Sequence, residues 1–385
     1  MMSEQFNDVI RFIREYYHQP EGPIALHEPL FIGNERKYVM DAIDSTFVSS
    51  IGKYVDRFES MVKEYTGAGH AVATANGSAA LHVALILAGV KRDDLVITQP
   101  MTFVATCNVI NYVGADPLFI DIDKKTLGLS AAKLKEFLNQ NCLVSKGEAF
   151  HKSSNRRISA CVPMHTFGHP VELDEIMDVC KSYNIVVVED AAESIGSKYK
   201  GKHTGTFGLV SAFSLNGNKT ITSGGGGVIT TNNATLGKLA KHLTTQAKVP
   251  HPWEFNHDHV GYNYRMPNLN AALACAQMEM LDRFIDKKRE LANQYKTLFG
   301  MMGLEFAVEP KDTYSNYWLN NVFFRDRDER DAFLAYSNAQ KISARPVWTL
   351  MNKLPMFNNC ICGDLSNAQD AENRVISLPS SVKEL

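Results

Sequence analysis

The chain has 385 residues, 45% of them hydrophobic, which is enough for one large layered domain and a smaller companion. Its 40 basic and 42 acidic side chains leave a formal net charge of -2, so no summed positive field favours nucleic acid or an anionic membrane. We therefore expect small-molecule partners.

The N-terminal residues and the cysteines indicate in which cellular compartment the protein is expected. Residues 1–5 lack the basic and apolar regions of a secretory signal. The longest apolar stretch, residues 81–90, has about half of the roughly 20 residues that a spanning helix needs, so we interpret it as a buried helix. Seven scattered cysteines suit a reducing environment. The sequence predicts a cytoplasmic protein without membrane contact.

In chain order, a short leading helix at residues 6–17 ends before Pro20 and Gly22. Strand-like runs then alternate with helical patterns such as residues 78–88 and 173–183. The predicted strands are residues 71–74, 95–98, 117–120, 158–162, 185–188 and 228–231. Runs such as 185–188 are apolar on both faces, as strands covered by helices must be. The pattern predicts an α/β domain with a mostly parallel central sheet.

After residue 250 the pattern changes. A long helical pattern at residues 268–299 is followed by a short strand at 319–324 and a helix at 328–338. We predict an N-terminal helix at 1–25, a large α/β domain at 26–265, and a linking helix with a small α+β domain at 266–385.

The first candidate motif lies where a predicted strand ends and a helix begins, at Asn76, Gly77 and Ser78. In a parallel sheet this is the edge where ligands bind, and a helix N-terminus with a small hydroxyl suits a phosphate. Ser78 could instead serve only as a helix cap.

The second motif is an apolar strand that stops at acidic residues, with Asp190 at its end and Glu193 just after it. A carboxylate at the end of a buried strand needs a partner, and a protonated pyridine nitrogen is such a partner. The alternative is that these acids favour the first turn of a helix.

The third motif is Lys219, in a polar turn immediately before the glycine run 224–227. A lysine in such a place can act as an amine nucleophile towards an aldehyde, although an ordinary surface lysine is the alternative. The glycine run precedes a strand, so it is not a dinucleotide fingerprint. Taken in chain order, a phosphate site, a carboxylate and a lysine predict pyridoxal 5'-phosphate (PLP) as cofactor.

Other clusters of possible metal ligands are less complete. Cys360 and Cys362 have no second pair nearby, and the pairs His165/His169 and His257/His259 lack a carboxylate at helical ligand spacing. We predict no metal site and interpret the histidines as loop residues, with His165 a candidate for contacting substrate.

Five segments, residues 76–85, 100–108, 188–197, 213–227 and 261–273, resemble the DegT/DnrJ/EryC1/StrS family of PLP-dependent nucleotide-sugar aminotransferases. The resemblance runs from about residue 26 to the C-terminus and implies the fold type I architecture. It implies that Lys219 forms the Schiff base with the cofactor and later shuttles a proton. It also implies cofactor contacts from the ring-binding residues Phe103, Asp190 and Glu193 and from the phosphate-binding residues Gly77, Ser78 and Ser214.

The same resemblance implies that Asn263 reaches the phosphate of the neighbouring subunit, so that the active unit is a homodimer with shared sites. Many family members have Gln or His in place of Glu193, which leaves the protonation state of this side chain open. Relatives with His in place of Lys219 dehydrate sugars, so the lysine favours amino transfer.

Residues 26–59 and 345–357 further resemble the LegC subgroup of legionaminic acid-type pathways. The implied reaction aminates C4 of a UDP-linked 2-acetamido-2,6-dideoxy-4-keto-hexose with L-glutamate as donor. The alternatives are a perosamine-synthase-like enzyme acting on a GDP-4-keto-6-deoxy sugar, and a non-catalytic binding or regulatory protein on the same fold. Further substrate candidates are Tyr317, Arg345 and Trp348, which offer stacking faces and a forked donor.

Overall fold

The computed structural model describes residues 2–383, with side chains from Phe6 onward. Three helices precede the first strand: α1 (Met2–Tyr17), α2 (Glu35–Asp44) and α3 (Lys53–Thr66). Helix α1 confirms the predicted leading helix and extends it towards the N-terminus. Its apolar face, which includes Phe6 and Ile13, is buried against the C-terminal part of the chain.

The central sheet confirms all six predicted strands. In chain order the strands up to residue 231 are β1 (His70–Thr74), β2 (Leu95–Thr98), β3 (Asp116–Phe119), β4 (Cys142–Ser145), β5 (Glu148–His151), β6 (Arg157–Val162), β7 (Val186–Asp190), β8 (Lys198–Tyr199), β9 (Lys202–His203), β10 (Val210–Ser214) and β11 (Gly227–Thr231). Within the described residues, seven of them form a sheet in the order β1-β11-β10-β7-β6-β2-β3, and the hairpin β4–β5 joins it beside β6. The sequence analysis did not predict β4, β5 or β10.

The sheet is mixed, with most of its strands parallel. Strands β10, β7, β6, β2 and β3 are parallel to one another, whereas β11 is antiparallel to both β1 and β10. Strand β1 therefore runs in the same direction as β10, and the carboxyl ends of six strands meet at one edge. The predicted α/β class with a mostly parallel sheet is confirmed.

Helices cover the sheet: α4 (Gly77–Leu87), α5 (Val104–Tyr112), α6 (Ala131–Asn141), α7 (Leu173–Ser182) and α8 (Ala234–Thr244). Helix α4 confirms the predicted buried helix, since its apolar residues are buried and it packs against β10 and β11. The side chain of Asn76, not that of Ser78, caps α4 by accepting a hydrogen bond from the Ala79 N–H at 2.8 Å.

The rest of the chain begins with α9 (Asn268–Met301), which confirms the predicted long helix. It is followed by β12 (Glu305–Phe306), β13 (Thr313–Tyr314), β14 (Asn320–Phe323), α10 (Arg327–Ala339), β15 (Arg345–Pro346), α11 (Ser366–Arg374) and β16 (Val375–Leu378). Strands β12, β14, β16 and β15 form an antiparallel sheet, and β13 pairs with β8. The domain boundaries near residues 25 and 265 stay a proposal, and Met1, Glu384 and Leu385 lie outside the described residues.

Among the described residues, no helix combines the length and the apolar character that crossing a membrane requires.

Candidate active site

A cavity of about 310 Å³ opens at the carboxyl edge of the central sheet. It is lined by Asn76, Gly77, Ser78, Leu81, Phe103, Ala105, Thr106, Met164, Asp190, Ala192, Glu193, Ser214, Asn216, Asn218, Lys219, Trp318 and Trp348. Eight of the predicted site residues are in this set: Gly77, Ser78, Phe103, Asp190, Glu193, Ser214, Lys219 and Trp348. Three motifs that are far apart in the sequence are therefore brought to one cavity.

The N-terminus of α4 forms one wall, with Gly77 and Ser78 in its first turn. The first N–H groups of a helix have no acceptor within the helix, so they are available to an anion. Gly77 lies so close to β10 that an added Cβ atom would come within 2.7 Å of the Cβ of Ser214. The absent side chain lets α4 approach β10 closely, so that Gly77 and Ser214 are neighbours in the cavity wall.

Asp190 ends β7 and is buried at the floor of the cavity. Its Oδ2 accepts a hydrogen bond from the Thr106 hydroxyl at 2.7 Å, and its Oδ1 accepts one from the Ala192 N–H at 3.2 Å. Burial raises the pKa of Asp190, because removal from water penalises the charged carboxylate. A cation in the cavity, such as a protonated pyridine nitrogen, would offset this penalty.

Lys219 projects from the turn after β10, and its Nζ lies 3.1 Å from Glu193 Oε1. Glu193 is fully enclosed, and its Oε2 accepts a hydrogen bond from the Phe167 N–H at 2.9 Å. Burial raises the pKa of Glu193 to about 7, against the opposing effect of the Lys219 charge. This carboxyl group can therefore exist in either protonation state near neutral pH.

The chemical groups that border the cavity match the parts of PLP. The start of α4 and the Ser214 hydroxyl border the cavity, the Asp190 carboxylate is buried in its wall, and the primary amine of Lys219 lies in the same cavity. They are the groups that the phosphate, the ring nitrogen and the aldehyde of PLP require.

Aromatic side chains form the remaining walls. Phe103 precedes α5 and is 49% exposed, so one face of its ring is free for stacking. The Trp348 ring stacks on Phe167 at a centroid distance of 5.2 Å and meets Phe103 edge-on at 6.4 Å. Trp348 thus packs against the protein and also lines the cavity.

His165 and Tyr317, two of the candidates for contacting substrate, do not line this cavity. The His165 ring is buried with its Nε2 3.1 Å from Glu189 Oε2, on the side of β7 opposite to Asp190. The Tyr317 hydroxyl accepts a hydrogen bond from the Glu309 N–H at 3.0 Å, and its ring meets His169. Both side chains stabilise the surroundings of the site.

Arg345 and Asn263 are exposed and do not line the cavity of their own chain. Arg345 donates hydrogen bonds to Asn338 Oδ1 at 2.7 Å and to the Ala344 carbonyl at 2.8 Å. Asn263 lies in the segment between α8 and α9 and forms a bridge with Thr245. Neither can contribute to the site unless a partner subunit or a bound substrate reaches it.

Among the lining residues that were not predicted as site residues, Thr106 and Trp318 contact the charged groups of the cavity. Thr106 lies inside the segment 100–108 that was singled out, and a hydroxyl one helical turn after Phe103 could have been recognised as a partner for a carboxylate. Trp318 is 4% exposed, and its ring centroid is 3.8 Å from Lys219 Nζ. No local signal identifies Trp318, because it reaches the cavity from beyond α9.

A second cluster of polar side chains lies on the surface at the end of α8. Asp258 Oδ1 is 2.6 Å from His242 Nε2 and 2.9 Å from His259 Nδ1. These hydrogen bonds lower the pKa of Asp258 to about 2. His257, which was considered together with His259, turns away, and its Nδ1 lies 2.8 Å from the Gln246 carbonyl oxygen.

The chain is similar to known proteins in its sequence and in its architecture. The sequence profile of the DegT/DnrJ/EryC1/StrS aminotransferase family matches residues 31–383. GDP-perosamine synthase of Escherichia coli O157:H7 is 37% identical over 357 residues, which cover 93% of this chain and 93% of that protein. GDP-perosamine synthase of Vibrio cholerae is 35% identical over 362 residues, which cover 93% and 94%.

Among solved structures, Helicobacter pylori PseC, an aminotransferase involved in the biosynthesis of pseudoaminic acid, matches with a TM-score of 0.83 and 22% identity. The match covers 93% of this chain and 94% of PseC. At this identity the likeness concerns the fold, and it confirms the predicted fold type I architecture.

The narrower prediction of a LegC-type chain is not supported by these relatives. Both curated relatives bear the name GDP-perosamine synthase, which favours the GDP-linked alternative over the UDP-linked substrate. The family prediction itself is confirmed over nearly the whole sequence. The chain belongs to the DegT/DnrJ/EryC1/StrS aminotransferase family, and like its other members it depends on PLP.

Proposed function

We propose that this protein transfers the amino group of L-glutamate to the C4 keto group of a GDP-linked 4-keto-6-deoxy sugar. The observation that carries the proposal is the meeting of Lys219, Glu193 and Asp190 in one cavity beside the N-terminus of α4. PLP, when bound, supplies an aldehyde that binds amines and a ring that withdraws electrons from the reacting carbon.

The residues of the cavity would divide the work of holding the cofactor. Gly77, Ser78 and Ser214 would bind the phosphate through N–H groups and hydroxyls. Asp190 would bind the protonated ring nitrogen, with Thr106 orienting the carboxylate through the 2.7 Å hydrogen bond. Phe103 would stack on the ring face, since its side chain is half exposed at the cavity wall.

Lys219 would carry protons between cofactor and substrate when its amine is free. Its Nζ is already within hydrogen-bond distance of Glu193, so the amine has a fixed position from which to act. Glu193, with its pKa raised to about 7 by burial, could either accept or donate a hydrogen bond towards the ring hydroxyl.

The site would be completed by a second copy of the chain. Asn263 is exposed and lies outside its own cavity, as a residue that serves a partner's site must be. We therefore include a homodimer with shared sites in the proposal, with Asn263 reaching the partner's phosphate.

The identity of the acceptor sugar is proposed from the names of two relatives and from the side chains that line the cavity. GDP is supported by the names of two relatives at 37% and 35% identity. Among the sugar-binding candidates, Trp348 is the one whose ring lines the cavity, so it is our candidate for a stacking face.

A coupled assay tests the proposed reaction directly. The purified protein is given L-glutamate and either a GDP-linked or a UDP-linked 4-keto-6-deoxy sugar, and 2-oxoglutarate is measured together with the amino sugar. We expect at least a tenfold higher kcat/KM with the GDP-linked sugar. A preference for the UDP-linked sugar would replace the acceptor in the proposal, whereas turnover of neither sugar would contradict the proposal itself.

A further inference from the structure

The ring of Trp318 lies directly against the amine of Lys219. The Nζ atom is 3.8 Å from the centroid of the ring and 3.1 Å from Glu193 Oε1. The Lys219 side chain is only 11% exposed, so its charge is largely removed from water. The amine therefore has a carboxylate and an aromatic face as its near neighbours.

Three hydrogen bonds fix the orientation of Trp318, one within its own segment and two with other parts of the chain. Its backbone N–H donates to Asn316 Oδ1 at 2.8 Å, and its carbonyl accepts from the buried Lys288 Nζ at 3.0 Å. Its indole N–H donates to the carbonyl of Asn218 at 2.7 Å. The last bond joins the ring to the residue that immediately precedes Lys219.

The titratable groups near the Lys219 amine differ from the Trp318 ring in that their charge depends on pH. The acidic groups near Lys219 are Glu193 and Asp190, and burial raises the pKa of both. The pKa of Glu193 reaches about 7, so Glu193 is only partly charged near neutral pH. Burial and the charges of Lys288 and Lys219 hold the pKa of His27 well below its usual value, so His27 stays neutral. An aromatic face attracts a desolvated ammonium without titrating itself.

We propose that Trp318 is a positioning residue for Lys219: its ring face holds the free, protonated amine inside the cavity, and its N–H fixes the turn from which Lys219 projects. This inference rests on the proposed function, since it concerns the lysine amine while it is not bound to cofactor. The residue also connects the chain beyond α9 to the central cavity.

The test measures how the full-length, cofactor-free chain captures added PLP at different pH values. Capture joins Nζ to the aldehyde carbon and releases water, so it requires the unprotonated amine. The pH midpoint of the capture rate, followed by absorbance, then reports how firmly the protonated amine is held. A tryptophan with a fluorinated benzene ring is introduced at position 318, because fluorine weakens the negative face of the ring and keeps its shape.

We expect fluorination at Trp318 to lower the midpoint by about 0.5 pH units, and Trp318→Leu to lower it by about 1 pH unit. Trp318→Phe keeps an aromatic face and loses the N–H, so its midpoint should stay closer to that of the wild type. The matched control is the same fluorinated residue at Trp253, which is 76% exposed, and it should leave the midpoint unchanged.

An unchanged midpoint after fluorination at Trp318, or an equal shift at Trp253, would overturn the inference. If Trp318→Leu does not fold, the fluorinated protein still decides the question. Failure of the proposed function is distinguishable, because a protein that captures no PLP at all contradicts that function, whereas normal capture and turnover with an unmoved midpoint contradict only the role of Trp318.

Discussion

Glu193 is a buried carboxyl group whose ionisation opposes folding. Its pKa is raised from 4.5 to about 7 by burial, so between these values the folded chain keeps a proton that the unfolded chain has lost. The free energy of unfolding of the cofactor-free protein should therefore fall by about 3 kcal/mol as the pH rises from 4.5 to 7.

In Glu193→Gln this contribution is absent, so its unfolding free energy should decline less over the same range. Urea denaturation of both proteins at pH 4.5 and pH 7.5 measures the difference. Equal declines in the two proteins would show that the pKa of Glu193 is the same in the folded and the unfolded chain, in contradiction to the burial argument.

The sequence pattern pointed to Asp190 because this residue ends a predicted strand at the ligand-binding edge. It pointed to Lys219 because this residue lies in a polar turn immediately before a glycine run. The direction of the His165 ring could not be read from the sequence, because it depends on Glu189, which alternates with Asp190 to the opposite face of β7 and binds the histidine there. Trp318 could not be found, since its contact with Lys219 depends on how the chain returns after α9.

At the scale of elements, the close approach of α4 and β10 shapes the proposed phosphate site. In Gly77→Ala the added Cβ would lie 2.7 Å from the Cβ of Ser214, so one element must shift. We expect the affinity for PLP to fall by about tenfold or more, consistent with the cost of overpacking. Gly217→Ala is the matched control, because nothing lies within 4 Å of its added Cβ. Equilibrium titration with PLP that gave equal affinities for the two variants would contradict this account.

Most elements could be predicted because apolar runs of β2, β3, β6 and β7 are typical of strands buried on both faces. Strand β10 was missed although it leads to Lys219. Its five residues include two serines, and the Ser211 hydroxyl is satisfied inside the sheet by Gly205 and Thr230. Such tertiary hydrogen bonds leave no trace in a local pattern, so a buried strand looked like part of a loop.

At the scale of the whole molecule, the proposed shared site can be tested by complementation. Lys219→Ala and Asn263→Ala would each impair both sites of their own homodimers. In a mixed dimer, one site would combine the intact Lys219 of one subunit with the intact Asn263 of the other.

Equal mixing with exchange of subunits should restore about a quarter of wild-type activity, because half of the dimers would be mixed and each would have one intact site. Activity is measured in the assay with L-glutamate and the preferred keto-sugar. A mixture no more active than the mean of its two parents would place Asn263 in the site of its own chain, or outside any site.

The central claim is that Lys219 and its neighbours use PLP to take an amino group from glutamate. The most direct measurement is the absorbance spectrum of the PLP-loaded protein before and after addition of L-glutamate, with Lys219→Ala as the comparison. We expect the cofactor band of the wild type to shift to that of pyridoxamine phosphate as 2-oxoglutarate appears. We expect Lys219→Ala to bind the cofactor without turnover. No band after incubation with PLP, or normal turnover by Lys219→Ala, would contradict the account.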